Sequence, residues 1–138
     1  MPAKEIYHET VKTALVKDGW TVTDDPYRIE CGEKNLYVDL GAERLLIAEK
    51  ESRKIAVEVK SFLGPSDMRD LETALGQYIL YYVLMAQQEP DRVLYLAVPK
   101  EAYADVFEDP VGRLILHKER LRLIVFDPQQ EVILQWIP

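Results

Sequence analysis

The longest regular pattern in the chain lies over residues 66–87, where Met68, Leu71, Leu75, Tyr78, Ile79 and Tyr82 recur at helical spacing. Gly64-Pro65-Ser66 breaks the chain just before it and offers Ser66 as a side-chain cap for the first turn. A helix this long with an apolar stripe needs a surface to lie on, and the flanking segments read as strands that provide it. Residues 20–23, 35–40, 44–48 and 54–62 are short β-rich runs separated by Gly, Asn and charged clusters that suit turns. Residues 93–98 form a continuous apolar run, as in a strand buried on both faces. Short helices are expected at 101–107 and 111–118, interrupted at Pro110, and closing strands at 121–126 and 132–137. At the other end, Ile6, Tyr7, Thr10, Val11, Ala14 and Leu15 share one arc of a helix over residues 3–17, which Asp18-Gly19 stops. The expected fold is α/β (α+β): a mixed β-sheet flanked by helices, in the order αβββαβ, forming a single domain over residues 1–138.

The chain has 138 residues, enough to bury a core without disulfides or metals. No apolar run approaches the roughly 20 residues that a transmembrane helix needs. Glu5 falls where a signal peptide requires an apolar stretch, so the expected location is the cytoplasm. Cys31 is the only cysteine, which excludes an internal disulfide and a multi-cysteine zinc site. With 24 acids against 17 bases, the net charge of −7 argues against a protein that coats DNA by neutralising phosphates. Residues 64–110 hold nine acids and three bases, whereas Arg113, Lys118, Arg120 and Arg122 cluster with only Glu119 opposing them. A solvated face is the simplest reading of so short a basic run.

The chemistry concentrates in Ile55-Ala56-Val57-Glu58-Val59-Lys60. Ile55, Val57 and Val59 share one face of the strand, so Ala56, Glu58 and Lys60 share the other. In residues 35–40, Leu36, Val38 and Leu40 face one way and Tyr37 and Asp39 the other. If both strands lie in one sheet, Asp39, Glu58 and Lys60 converge. Two adjacent carboxylates repel unless a cation lies between them, and oxygen ligands suit magnesium or manganese. A lysine beside such an ion can orient a water and stabilise charge on a phosphoryl group. Alternating charges on a half-exposed sheet also produce Glu-x-Lys by cross-strand pairing alone. Other chemistries lack their residues. His8-Glu9-Thr10-Val11-Lys12 has Lys12 where a zinc-protease motif requires histidine, and there is no glycine-rich phosphate loop and no Gly-x-Ser-x-Gly elbow.

Asp39, Glu58 and Lys60 together resemble the PD-(D/E)xK nuclease signature, and the predicted element order resembles its restriction-endonuclease-like core. That resemblance implies catalytic roles for Asp39, Glu58, Lys60, Gln77 and Tyr81. Gln77-x-x-x-Tyr81 is similar to a helix motif of the RecB-like branch. It also implies a metal site for Mg2+ or Mn2+ drawn from Glu9, Asp39, Glu58 and Val59. Val38 stands where the signature has proline, and 18 residues separate Asp39 from Glu58. Glu43 and Glu49 lie in that interval as alternative second carboxylates.

Beyond the signature, long strings resemble the XisH family, the fdxN element excision controlling factors. They are Met1-Pro2-Ala3-Lys4, Asp18-Gly19-Trp20, Tyr37-Val38-Asp39-Leu40-Gly41-Ala42-Glu43, Val57-Glu58-Val59-Lys60-Ser61-Phe62-Leu63-Gly64, Gly76-Gln77-Tyr78 and Val125-Phe126-Asp127-Pro128-Gln129-Gln130-Glu131-Val132. The resemblance runs from end to end and implies a cyanobacterial protein acting with XisI in DNA excision, the strand exchange belonging to the recombinase XisF. Implied partners are an XisI-like protein, DNA within the complex, and the recombinase indirectly, with no membrane. The role is either that of a magnesium-dependent nuclease or that of a noncatalytic module that binds XisI. The apolar side of residues 132–138 would pack in the core or form a contact in a homo-oligomer.

Overall fold

The computed structural model describes residues 6–27, 30–31, 36–37, 45–118 and 121–138. Helix α1 spans His8–Lys17. It ends as Asp18-Gly19 predicts: Gly19 takes φ +91°, its N–H donates to the Val16 carbonyl, and the Trp20 N–H reaches back to Leu15 at 2.9 Å. Those two bonds, with the Asp18 N–H that reaches Ala14 and Leu15, supply donors to the last carbonyls of the helix. Strands β1 (Thr21–Tyr27), β2 (Glu30–Cys31), β3 (Leu36–Tyr37), β4 (Leu45–Lys50) and β5 (Arg53–Val59) follow. Helix α2 covers Asp67–Gln88, and Ser66 caps it, its Oγ accepting from the Arg69 N–H at 3.2 Å.

Strand β6 (Val93–Pro99) leads into a short helix α3 (Lys100–Ala102) that widens into a π-helical segment, Tyr103–Phe107. Pro110 opens helix α4 (Pro110–Lys118) instead of interrupting a helix. At the first helical position its missing N–H removes no bond and its fixed φ already suits the helix. Gly112 then lets α4 press onto the π-helical segment, because a Cβ there would run into the Val106 carbonyl. Strands β7 (Leu123–Asp127) and β8 (Val132–Ile137) complete the chain.

Six strands form one mixed sheet in the order β1-β4-β5-β6-β7-β8. The β1–β4–β5 pairs are antiparallel, β5–β6–β7 are parallel, and β8 returns antiparallel to β7. Within this sheet the order αβββαβ holds for its first members, giving a mixed α+β fold. The strand expected at residues 35–40 departs from the reading. Its described part, β3, pairs with β2 in a separate two-stranded sheet.

The period-two pattern of the strands divides the core. Ala56, Leu94, Leu96, Leu123 and Val125 pack beneath Leu71, Ala74, Tyr78, Tyr81 and Met85 of α2. Ile55, Val57, Val59, Ile124 and Phe126 pack on the other face with Val11 and Leu15 of α1 and with Trp20. The closing strand adds Ile133 and Trp136 to this second layer and Ile137 to the first; Trp136 stands edge-on to Tyr95 at 5.0 Å and lies 5.6 Å from Trp20. Leu134 alone among its large apolar residues is exposed. The Tyr78 hydroxyl ties α2 to the sheet, donating to the Leu94 carbonyl at 3.2 Å and accepting from the Arg122 N–H at 3.3 Å. Burial raises its pKa above the ordinary phenol value.

A candidate site at the carboxyl end of the central strand

Glu58 is the penultimate residue of β5, the third strand across the sheet, opposite Leu45 of β4 on one side and Leu96 of β6 on the other. It has no exposed surface. It shares the face of Ala56, which packs under α2, so its carboxylate points into the layer that holds Tyr81 and not onto a solvated sheet. The cross-strand pairing that would make Glu-x-Lys unremarkable occurs elsewhere in this hairpin, where Glu49 lies opposite Lys54 and Lys50 opposite Arg53.

That register also settles one alternative. Glu49 pairs four positions along the strand from Leu45, the residue opposite Glu58, which places it roughly 13 Å away at about 3.3 Å per residue. The Arg92 guanidinium lies 3.7 Å from it, and Arg92 also donates to Glu89 and to the Ile55 carbonyl. Glu49 therefore belongs to a structural knot at the far end of the hairpin and does not replace Glu58. Asp39 and Glu43 lie outside the described residues. Of the strand expected to carry Asp39, the described residues Leu36–Tyr37 pair with β2 and not within the six-stranded sheet.

Beyond Val59 the strand turns away. The Lys60 N–H still donates to the Ala97 carbonyl at 3.0 Å, but Phe62 adopts φ +57°, a left-handed conformation rare for a bulky residue. Its ring holds the turn by packing edge-on against Phe107 at 5.9 Å. This is why the strand stops short of residue 62, where the alternation of side chains alone would carry it. Gly64 follows, its N–H donating to Asp70 Oδ2 at 3.0 Å. A Cβ at Gly64 would lie 2.8 Å from the same carboxylate, so the turn closes tightly on the first helical turns of α2.

Lys60, Ser61, Phe62, Gly64, Asp70 and Ile6 line a cleft of about 300 Å³. An adjoining cleft of about 490 Å³ includes Tyr7, Ser61, Asp67, Glu101 and Asp105. Both open beyond the carboxyl ends of the parallel strands, the usual place for a ligand in sheets of this kind. Ser61, which is buried, and Asp70 were not anticipated; Ser61 was hidden because hydroxyls are common at strand ends, and Asp70 because its partner is a backbone N–H.

The remaining candidates sit around this centre. Glu9 is exposed on the first turn of α1, one turn on from Ile6 at the cleft margin. The Val59 side chain is buried on the α1 side, so Val59 can offer a metal only its main-chain carbonyl. Gln77 is half-buried on α2 with its side-chain oxygen inside the protein, and Tyr81 one turn later lies in the core beneath the helix. Among the described residues no three His, Cys, Asp or Glu side chains stand close enough to hold a metal ion.

The family model for the XisH protein matches residues 1–134. The chain belongs to the XisH family. Among solved structures it resembles an fdxN element excision controlling factor protein from Anabaena variabilis, with 47% identity over 96% of this chain and 98% of that one, at a TM-score of 0.87. An XisH family protein from Nostoc punctiforme is 41% identical over 97% of this chain and 100% of that one, at a TM-score of 0.88. A comparison with curated proteins gives no match. Among the described residues of this XisH member, no helix is long and apolar enough to cross a membrane.

Proposed function

We propose that this XisH protein is an fdxN element excision controlling factor that works in the cytoplasm, supporting site-specific DNA excision through a phosphodiester-cleaving site at the carboxyl end of β5. The observation that carries the reading is the complete burial of Glu58 two positions before Lys60, which itself lines a cleft. A carboxylate removed from water is retained only where partners or a cation meet its charge. In this reading Glu58 and Asp39 hold the cation, Val59 and Glu9 complete its surroundings, and Lys60 places positive charge beside the scissile phosphate. Gln77 and Tyr81 fix the α2 side of the centre. Magnesium or manganese, when bound there, would supply charge stabilisation for the phosphodiester.

The second reading is a noncatalytic module that binds an XisI-like protein and acts on the recombinase indirectly. The acidic lining of the larger cleft, Asp67, Glu101 and Asp105, favours it, since such a surface suits a basic protein better than DNA.

Cleavage of supercoiled, linear and single-stranded DNA with magnesium or manganese separates the two, with and without an XisI-like protein. Metal-dependent cutting by the wild type, lost in Asp39→Ala, Glu58→Gln and Lys60→Ala, is the expected result. Inactivity of the wild type under all these conditions, with its near-UV circular dichroism intact, would leave the binding module as the function.

A further inference from the structure

Helix α2 carries two apolar seams, and its own sheet uses only one. Leu71, Ala74, Tyr78, Tyr81 and Met85 are buried on the strands. On the outer side Met68, Glu72, Leu75, Ile79, Tyr82 and Ala86 follow one another at steps of four, three, four, three and four, the spacing at which two helices pack side by side. Leu75 is half-buried and the other five are exposed. Residues 73–88 contain no charged side chain, although the chain as a whole carries −7. We propose that this outer seam is the contact between two copies of the chain, with the helices antiparallel about a two-fold axis that passes between Leu75 and Ile79, level with Gln77 but on the opposite side of the helix.

The seam reads the same in both directions about that point. An antiparallel pair sets Met68 against Ala86, Glu72 against Tyr82, and Leu75 against Ile79, so each residue meets its partner in both halves. Gly76, one position on from Leu75, flanks the seam near its midpoint. Within one copy, a Cβ at Gly76 would meet nothing within 4 Å, so the fold itself has no use for a glycine there. A mid-helix glycine costs about 1 kcal/mol relative to alanine, and close passage of a second backbone is the gain that offsets it. Charge selects the antiparallel arrangement. Glu72 in the seam would face its own copy in a parallel pair, but faces Tyr82 here.

The area is sufficient for a reversible dimer. Met68, Ile79, Tyr82 and Val83 are 45% to 56% exposed. At roughly 150–200 Å² per large side chain, they offer about 350 Å² on each copy. With the residues between them an antiparallel pair would cover about 1,000–1,200 Å², the lower end of specific interfaces, which corresponds to association in about the micromolar range.

Sedimentation equilibrium of the full chain from about 1 μM to 1 mM tests this, bracketing that range. The expected result is a monomer–dimer equilibrium that Ile79→Glu weakens by about a hundredfold, with near-UV circular dichroism unchanged. In a Cys31→Ser background, Gly76→Cys should cross-link readily on mild oxidation, whereas Thr73→Cys, which points away from the seam, should not. A chain that stays monomeric at every concentration overturns the proposal and leaves a different protein to cover α2. A dimer indifferent to Ile79→Glu, or one in which both cysteines cross-link equally, overturns the assignment to this helix.

Discussion

A carboxylate buried among hydrophobic strand residues works against folding, and Glu58, near the end of β5, has no exposed surface. Its direction was legible from Ile55-Ala56-Val57-Glu58-Val59-Lys60, because alternation assigns faces without knowledge of the neighbours. Its burial was not, because that depends on α2 lying over this face, a tertiary fact. Asp127 shows the same division. In the sequence it is the first residue of a turn-like Asp-Pro; in the fold its carboxylate accepts from the Gln129 N–H at 2.9 Å, the Gln130 N–H at 3.2 Å and Lys100 Nζ at 3.3 Å. The Gln129 bond is the main reason its pKa lies below the ordinary carboxylate value, with the Gln130 bond and Lys100 adding to it against the opposing effect of burial. A lowered folded-state pKa means that the stabilisation is fully present above the unfolded value of about 4 and fades as pH falls through the folded one. Asp127→Ala should therefore unfold at lower urea than wild type at pH 7. The gap between the two midpoints should narrow as the pH is taken below about 4. Fluorescence of Trp20 and Trp136, which lie 5.6 Å apart, follows the transition. A gap that stays constant into acid would show that the turn is held by something other than the ionised carboxylate.

Elements whose limits are set by local chemistry were read closely. Ser66 starts α2 and Gly19 ends α1 through bonds made within a few residues, which a sequence carries in full. Elements whose limits depend on distant packing were not. The stop of β5 before Phe62 needs the ring of Phe107, and the π-helical segment with the close seating of α4 needs Val106 beneath Gly112. The two helical glycines separate these cases by experiment. Gly112→Ala forces a methyl group into the Val106 carbonyl, so backbone must move, and a loss of roughly 1–3 kcal/mol or more is expected. Gly76→Ala fills open space on an exposed helix and should raise the stability of the monomer by about 0.5–1 kcal/mol, measured by urea unfolding at sub-micromolar concentration. Equal effects at both positions would mean that the π-helical contact is not rigid.

At the scale of the whole molecule, charge limits what the fold can do alone. The net charge is −7, and the two clefts beyond the carboxyl ends of the strands include Asp67, Asp70, Glu101 and Asp105. The basic run near the chain's end comprises Arg113 and Lys118, both exposed on α4, half-buried Arg122, and Arg120, which lies outside the described residues. Those few cations are too few to release many counterions from a duplex, and the acids around the clefts repel the backbone that a nuclease site must approach. The chain by itself should therefore bind a random duplex of ordinary length with a dissociation constant weaker than about 100 μM at 150 mM salt without divalent ions. Fluorescence anisotropy of a labelled duplex measures this, and repeating the titration with magnesium or with an XisI-like protein shows where affinity is gained. A gain with magnesium alone, lost in Glu58→Gln, places the cation between acids and phosphate, as cleavage requires. A gain only with the protein partner assigns the DNA contact to the assembly, and the acidic clefts then serve to hold that partner. Tight binding by the isolated chain without either would mean that the α4 cluster is a stronger phosphate site than its size implies.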